Sequence, residues 1–122
     1  MFLPAVERSQ RGVEMLAAGD AFAAIQAFRE AITADPAHIE AHHGLIRALC
    51  DAEDLEAAVD AAVVLTKLTP DDPLAYASLS IALQKNGKIA EAESAAGRAR
   101  ILEWKQQLTE PATEGKERDP FA

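Results

Sequence analysis

Residues 19–36 read GDAFAAIQAFREAITADP, and residues 53–70 read EDLEAAVDAAVVLTKLTP. Each ends on proline, at Pro36 and Pro70, thirty-four residues apart. One period on, residues 87–104 read GKIAEAESAAGRARILEW and end on Trp104, where a third proline would fall. A fixed period of this length means one supersecondary unit used repeatedly, and such a unit buries its apolar face only by stacking on its neighbours. A stack of this kind presents a surface rather than a catalytic pocket.

Working outward from those stretches, the sequence predicts six helices. The first covers roughly Ala5 to Ala18 and stops at Gly19-Asp20, a helix C-terminal signal. The second runs from about Phe22 to Ala34, with Ile25, Phe28, Ala31 and Ile32 on one face, and Asp35-Pro36 breaks it. The third runs from about His38 to Asp51 and the fourth from about Leu55 to Leu68. Asp72 reads as an N-cap with Pro73 at the first helical position, where proline loses nothing. The fifth helix then runs to about Lys85, and Asn86-Gly87 closes it. The sixth starts near Ile89 and, with no proline at Trp104, continues to about Leu108. Loops of two to four residues make neighbours antiparallel. The expected fold is all-α: a solenoid of three antiparallel helix pairs, at about 5–38, 39–72 and 73–108, in one domain over 1–108. Residues 109–122, TEPATEGKERDPFA, read as a flexible acidic tail.

The 122 residues suffice for one small domain, and the Ala-rich, charge-rich composition with 5% aromatics favours helices. The formal net charge of −8 argues against a nucleic-acid backbone as partner, because such binding is driven by Lys and Arg on phosphate. The charge is uneven: −6 over residues 38–72 and +2 over 73–108. That dipole is either ordinary solvated surface or a basis for a charge-matched partner or head-to-tail self-association. Cys50 is the only cysteine, so no internal disulfide forms. The start, MFLPAVERSQRG, lacks the marks of a secretory signal, and no apolar run approaches membrane-spanning length. The cytoplasm is the default, although a chain trimmed of its leader would read the same.

The thirty-four-residue helix pair resembles the tetratricopeptide repeat, whose pattern is W-x2-L-G-x2-Y, then A-x3-F, then P. The third unit matches with Tyr76, Leu79, Ser80 and Leu83, then Ala92, Ala96 and Ala99. The second has His42, Leu45, Ile46 and Leu49, then Ala58, Ala62, Leu65 and Pro70. The first has Gly12 and Met15, then Ala24, Phe28, Ala31 and Pro36. It departs from the pattern at Arg8 and Arg11, which suits an exposed first helix. Glu93 and Arg100 stand where apolar residues are usual in the last helix, and polar side chains there would cap the array. The resemblance covers about residues 5–105.

That resemblance implies a concave groove lined by the first helix of each pair, holding an extended peptide or a partner helix. Carried onto this chain, the groove is lined by Val6, Ser9, Val13 and Leu16, then Glu40, His43, Arg47 and Cys50, then Leu74, Ala77, Ile81 and Gln84. The lysine and asparagine clamp of the chaperone-binding members is missing: its places hold Ser9, Val13, Arg47 and Leu74. Val63 and Val64 fall where the family normally has charged residues on the convex side, so they mark a second interface or two tolerated surface valines. Phe121 behind Asp119-Pro120 is an aromatic anchor that would dock in a groove of its own or another chain.

His43 and Arg47 lie one turn apart and share a face, suited to a carboxylate or carbonyl of a bound segment, or simply solvated. His38 and His42 have a spacing that puts two imidazoles on one metal, but further ligands are missing and no metal is expected. Nothing resembles a nucleophile–base pair, a phosphate loop or paired carboxylates, so neither enzyme activity nor a cofactor is expected. The sequence points to an adaptor or assembly factor that binds another protein. The alternative is a subunit that self-associates or is built into a larger complex.

Overall fold

The computed structural model describes residues 4–109. Six helices follow one another: α1 (Ala5–Ala17), α2 (Ala21–Ala34), α3 (Ile39–Asp51), α4 (Leu55–Leu68), α5 (Pro73–Lys85) and α6 (Ile89–Thr109). The expected ends hold to within a residue or so, because the breakers that set them are local. Thr109, expected to open the tail, is instead the last residue of α6; the rest of the expected tail, residues 110–122, lies outside the described residues.

The turn inside each pair is built the same way three times. The chain leaves α1 through Gly19 at φ 82°, α3 through Glu53 at φ 59°, and α5 through Gly87 at φ 78°. These three residues are again one period apart. In the first turn the Gly19 and Asp20 amides donate to the carbonyls of Leu16 and Met15, at 3.0 and 2.9 Å. Glu53 and Asp54, and Gly87 and Lys88, repeat that pairing on α3 and α5. This left-handed exit satisfies carbonyls that the last helical turn would otherwise leave open. Glycine adopts it freely; Glu53 holds the same conformation against a steric cost. At the far side of the first turn, Asp20 accepts from the Ala23 amide at 3.1 Å and caps α2. Asp72 does the same for α5 through the Leu74 amide at 3.0 Å, with Pro73 at the first helical position.

Each helix packs on the next, and in addition α1 meets α3 and α3 meets α5. The second helices of the pairs, α2, α4 and α6, make no such approach to one another. The first helices therefore form the inner, concave layer, and the second helices the splayed outer one. The interior is built mostly of alanine: Ala24, Ala31, Ala41, Ala48, Ala58, Ala62, Ala75 and Ala82 have no exposed surface. Small side chains let the helices come close.

Phe28, the largest of the fully buried side chains, fixes the first junction. It is fully buried, with its ring between two helix glycines, Gly12 on α1 and Gly44 on α3. A Cβ at Gly12 would stand 2.7 Å from the ring, and one at Gly44 would come closer still. Glycine costs an interior helix position about 1 kcal/mol relative to alanine. Here that cost makes room for an aromatic whose truncation typically costs about 3–5 kcal/mol. At the corresponding places of the second repeat the sizes are exchanged, with Ile46 for Gly12 and Ala62 for Phe28, both buried. His42 is also buried, and its Nε2–H donates to the Pro36 carbonyl at 2.8 Å, tying α3 to the turn before it. Leu83, Ala92 and Ala95 form a smaller cluster of buried residues in the last pair.

Candidate functional site

Two clefts open side by side on the concave layer. The first, about 510 Å3, lies between α1 and α3; Val13 and Leu16 form one wall, and Glu40, Gly44 and the Phe28 ring contribute to the rest. The second, about 400 Å3, lies between α3 and α5 and is walled by Ile46, Cys50, Ser78, Ile81 and Lys85. His43, Arg47 and Asp51 belong to both. They recur every four residues on α3, so they form one ridge along its exposed side. The groove is thus a pair of largely apolar hollows divided by a polar ridge. Gly44 lines the first hollow, and a Cβ there would collide with the Phe28 ring.

His43 ties the ridge to α5: its Nδ1 and the Ser78 hydroxyl are 3.1 Å apart. Burial lowers its pKa below the ordinary 6.5; Asp72 opposes that shift and His42 adds to it. The imidazole is therefore held neutral, able to hydrogen-bond but adding no cation beside Arg47. Burial raises the pKa of the Cys50 thiol; Lys85 opposes this and Asp51 reinforces it. A thiol shifted that way is a poor nucleophile and acts as a small apolar wall.

The structure gathers most of the expected groove residues. Val13, Leu16, Glu40, His43, Arg47, Cys50 and Ile81 line the two clefts. Val6, Leu74 and Gln84 are exposed on α1 and α5 without lining either cleft, and Ala77 is half-buried on α5. Ser9 is a correction: it is only 3% exposed, so it belongs to the interior. Helix α1 packs on both α2 and α3, and a side chain as short as serine does not reach past its neighbours.

Val63 is a second correction. It does not point outward; it is half-buried in a hollow of about 400 Å3 among α4, α5 and α6, with Val59, Tyr76, Leu79, Leu83 and Arg98. Val64, one residue on, is turned round the helix and is 51% exposed, as expected. Phe121 lies outside the described residues. His38 and His42 do not converge as ligands, since the Nε2 of His42 is used on Pro36. Glu93 and Arg100 are exposed on α6, where the expected cap would place them.

The sequence reading missed the outer face of α6. Ile101, Trp104 and Leu108 are 47%, 60% and 66% exposed, while Leu102 is the buried residue of that turn. The signal was present as an i, i+3, i+7 spacing opposite the Ala95, Ala99 and Leu102 face.

The tetratricopeptide repeat profile matches residues 15–80, more than half of the chain. The chain is a tetratricopeptide repeat protein. Its six helices and its inner layer of first helices are those of a helical repeat protein that mediates protein binding. No curated protein sequence matches it. Among solved structures it resembles MamA, with TM-score 0.79, 22% identity, and coverage of 86% of this chain and 61% of MamA. It resembles the second tetratricopeptide domain of Spaghetti (RPAP3), solved with the HSP90 peptide SRMEEVD, with TM-score 0.73, 22% identity, and coverage of 80% and 91%. The Yersinia enterocolitica type III secretion translocator chaperone SycD gives TM-score 0.75, 16% identity, and coverage of 93% and 83%. These similarities concern the fold. The repeat protein described here spans about three-fifths of MamA's length. Among its described residues no helix is long and apolar enough to cross a membrane.

Proposed function

We propose that this tetratricopeptide repeat protein is a non-enzymatic adaptor or assembly factor. Residues 1–108 act as one three-repeat domain, and its concave groove holds an extended peptide or a helix of another protein. The observation that carries this reading is the pair of adjoining clefts that share His43, Arg47 and Asp51. Apolar side chains of the partner fill the hollows at about 25 cal/mol per Å2 of buried apolar surface, less the cost of ordering the segment. Arg47 and His43 orient it by binding its carboxylates or carbonyls. Val6, Leu74, Ala77 and Gln84 extend the contact along α1 and α5, while Ser9 supports it from within.

The test is a tagged pull-down from the native cell with wild type beside Arg47→Glu. Because Arg47 is exposed, the charge reversal leaves the fold intact. A prey lost with the variant places the partner in the groove; one recovered equally in both rules this assignment out. A second reading, a structural subunit that self-associates, draws on Val64, which leaves half its surface open on α4. Sedimentation of wild type and Val64→Glu separates the two: a discrete oligomer disrupted by the charge favours the subunit, and a monomer at all concentrations favours the adaptor.

A further inference from the structure

We infer that the outer face at the end of α6 is a second docking surface, and that it takes an acidic amphipathic helix of another protein. Helix α5 has 13 residues and α6 has 21. At 1.5 Å per residue, α6 outruns its partner by about 12 Å. The last side chain that α5 covers is Leu102, at 4% exposure. Beyond it the helix has no neighbour among the described residues, yet it does not turn polar. Ile101, Trp104 and Leu108 form a continuous stripe on the side away from α5, each about half or more exposed. Scattered surface leucines need no explanation, but a stripe at i, i+3, i+7 has the spacing at which one helix seats another. A central tryptophan is also the residue type that most often anchors an interface.

The rim identifies the occupant. At 100° per residue, Lys105 flanks the stripe on one side and Arg100 on the other; Arg98 lies on the Lys105 side but carries its guanidinium over the Tyr76 ring of α5, 5.8 Å from the ring centroid. Glu103 lies further round the helix beyond Arg100, and Glu93, on the Arg100 side, is about 12 Å before Ile101 along the axis. A partner that presents carboxylates on both sides of an apolar seam meets cations on both sides. A second copy related by two-fold symmetry would set a basic rim against a basic rim. A helix is favoured over an extended strand because the stripe repeats with helical spacing over two turns.

Trp104 is the only tryptophan in the chain, so its emission reports directly on this surface. Two synthetic peptides of roughly 20 residues, long enough for five helical turns, would share one leucine stripe. One carries glutamates along both flanks and the other lysines. With the full chain, the glutamate peptide is expected to shift Trp104 emission to the blue and saturate, and to bind about tenfold more tightly than the lysine peptide. The variant Arg100→Glu, Lys105→Glu, changed only at exposed positions, should reverse that preference. The double variant Ile101→Ser, Leu108→Ser, altered only at exposed positions, should abolish both. Five outcomes would each overturn the inference. These are equal binding of the two peptides; binding of neither; a blue shift with protein concentration alone, which assigns the stripe to a second copy; a larger shift with vesicles of equimolar phosphatidylcholine and phosphatidylglycerol than with the peptide; and a red shift of the free protein's emission in Phe121→Ala, which assigns the stripe to the chain's own end.

Discussion

Replacing Gly44 by alanine sets two well-defined effects against each other. Alanine is the better helix former by about 1 kcal/mol, and position 44 lies in the middle of α3. Propensity alone therefore predicts a more stable protein. The packing predicts the opposite, because the new Cβ would overlap the Phe28 ring, which is fully buried and has Gly12 on its other side. The ring cannot retreat toward α1, where the nearest Cβ site is already only 2.7 Å away. Overpacking of a close-packed core typically costs about 1–3 kcal/mol, and an overlap on both sides of one ring belongs at the upper end. Subtracting the propensity gain leaves a net loss of about 1–2 kcal/mol. For a domain of this size that lowers Tm by about 4–12 °C. Thermal and urea unfolding followed by circular dichroism at 222 nm would measure it. Phe28→Leu in the same background gives a double-mutant cycle, in which Gly44→Ala should cost clearly less than in wild type. If Gly44→Ala matches or exceeds wild-type stability, Phe28 is not wedged between the two glycines, and the account of the first junction fails.

Three further outcomes follow from the same structure. Glu53→Gly should stabilise the protein by about 0.5–1 kcal/mol, because it removes the left-handed strain that Gly19 and Gly87 avoid, less the extra freedom of glycine in the unfolded chain; a urea midpoint shift measures it. Folding lowers the pKa of His43, so the native state binds fewer protons there than the unfolded chain. The stability this confers is complete above the ordinary value of 6.5 and is lost as pH falls through the folded pKa, and a Tm–pH profile of His43→Asn should lack that component. The same depression should appear as a His43 titration midpoint below 6.5 by NMR, and removing the buried surroundings with urea should return it to the ordinary range.

The period, the helix pairs and most of the groove were legible in the sequence because each rests on local or short-range rules. Proline and glycine set the ends, and a 3.6-residue repeat sets the faces. The missed features depend on what lies across the helix rather than along it. Ser9 has the right phase for the groove, but it is short and sits where α1 meets two neighbours at once. Val63 and Val64 are adjacent in sequence, yet one falls in the hollow beside α5 and α6 and the other outside. Glu53 carries no sign of its positive φ except its position one period from Gly19 and Gly87. The exposed stripe on α6 was hidden because Ile101, Leu102, Trp104 and Leu108 all look like core residues until the length of α5 decides which of them is covered.

The Phe28 ring belongs to the first repeat, but half of its socket, Gly44, belongs to the second. The unit copied along the chain is therefore not the unit that fits together. Cutting out residues 39–72 would keep the period intact and bring Ser78, the residue at the place of Gly44, up against that ring. The repeats of this protein have an order as well as a number, and shuffling them would preserve the reading frame of the solenoid while losing the match between its parts.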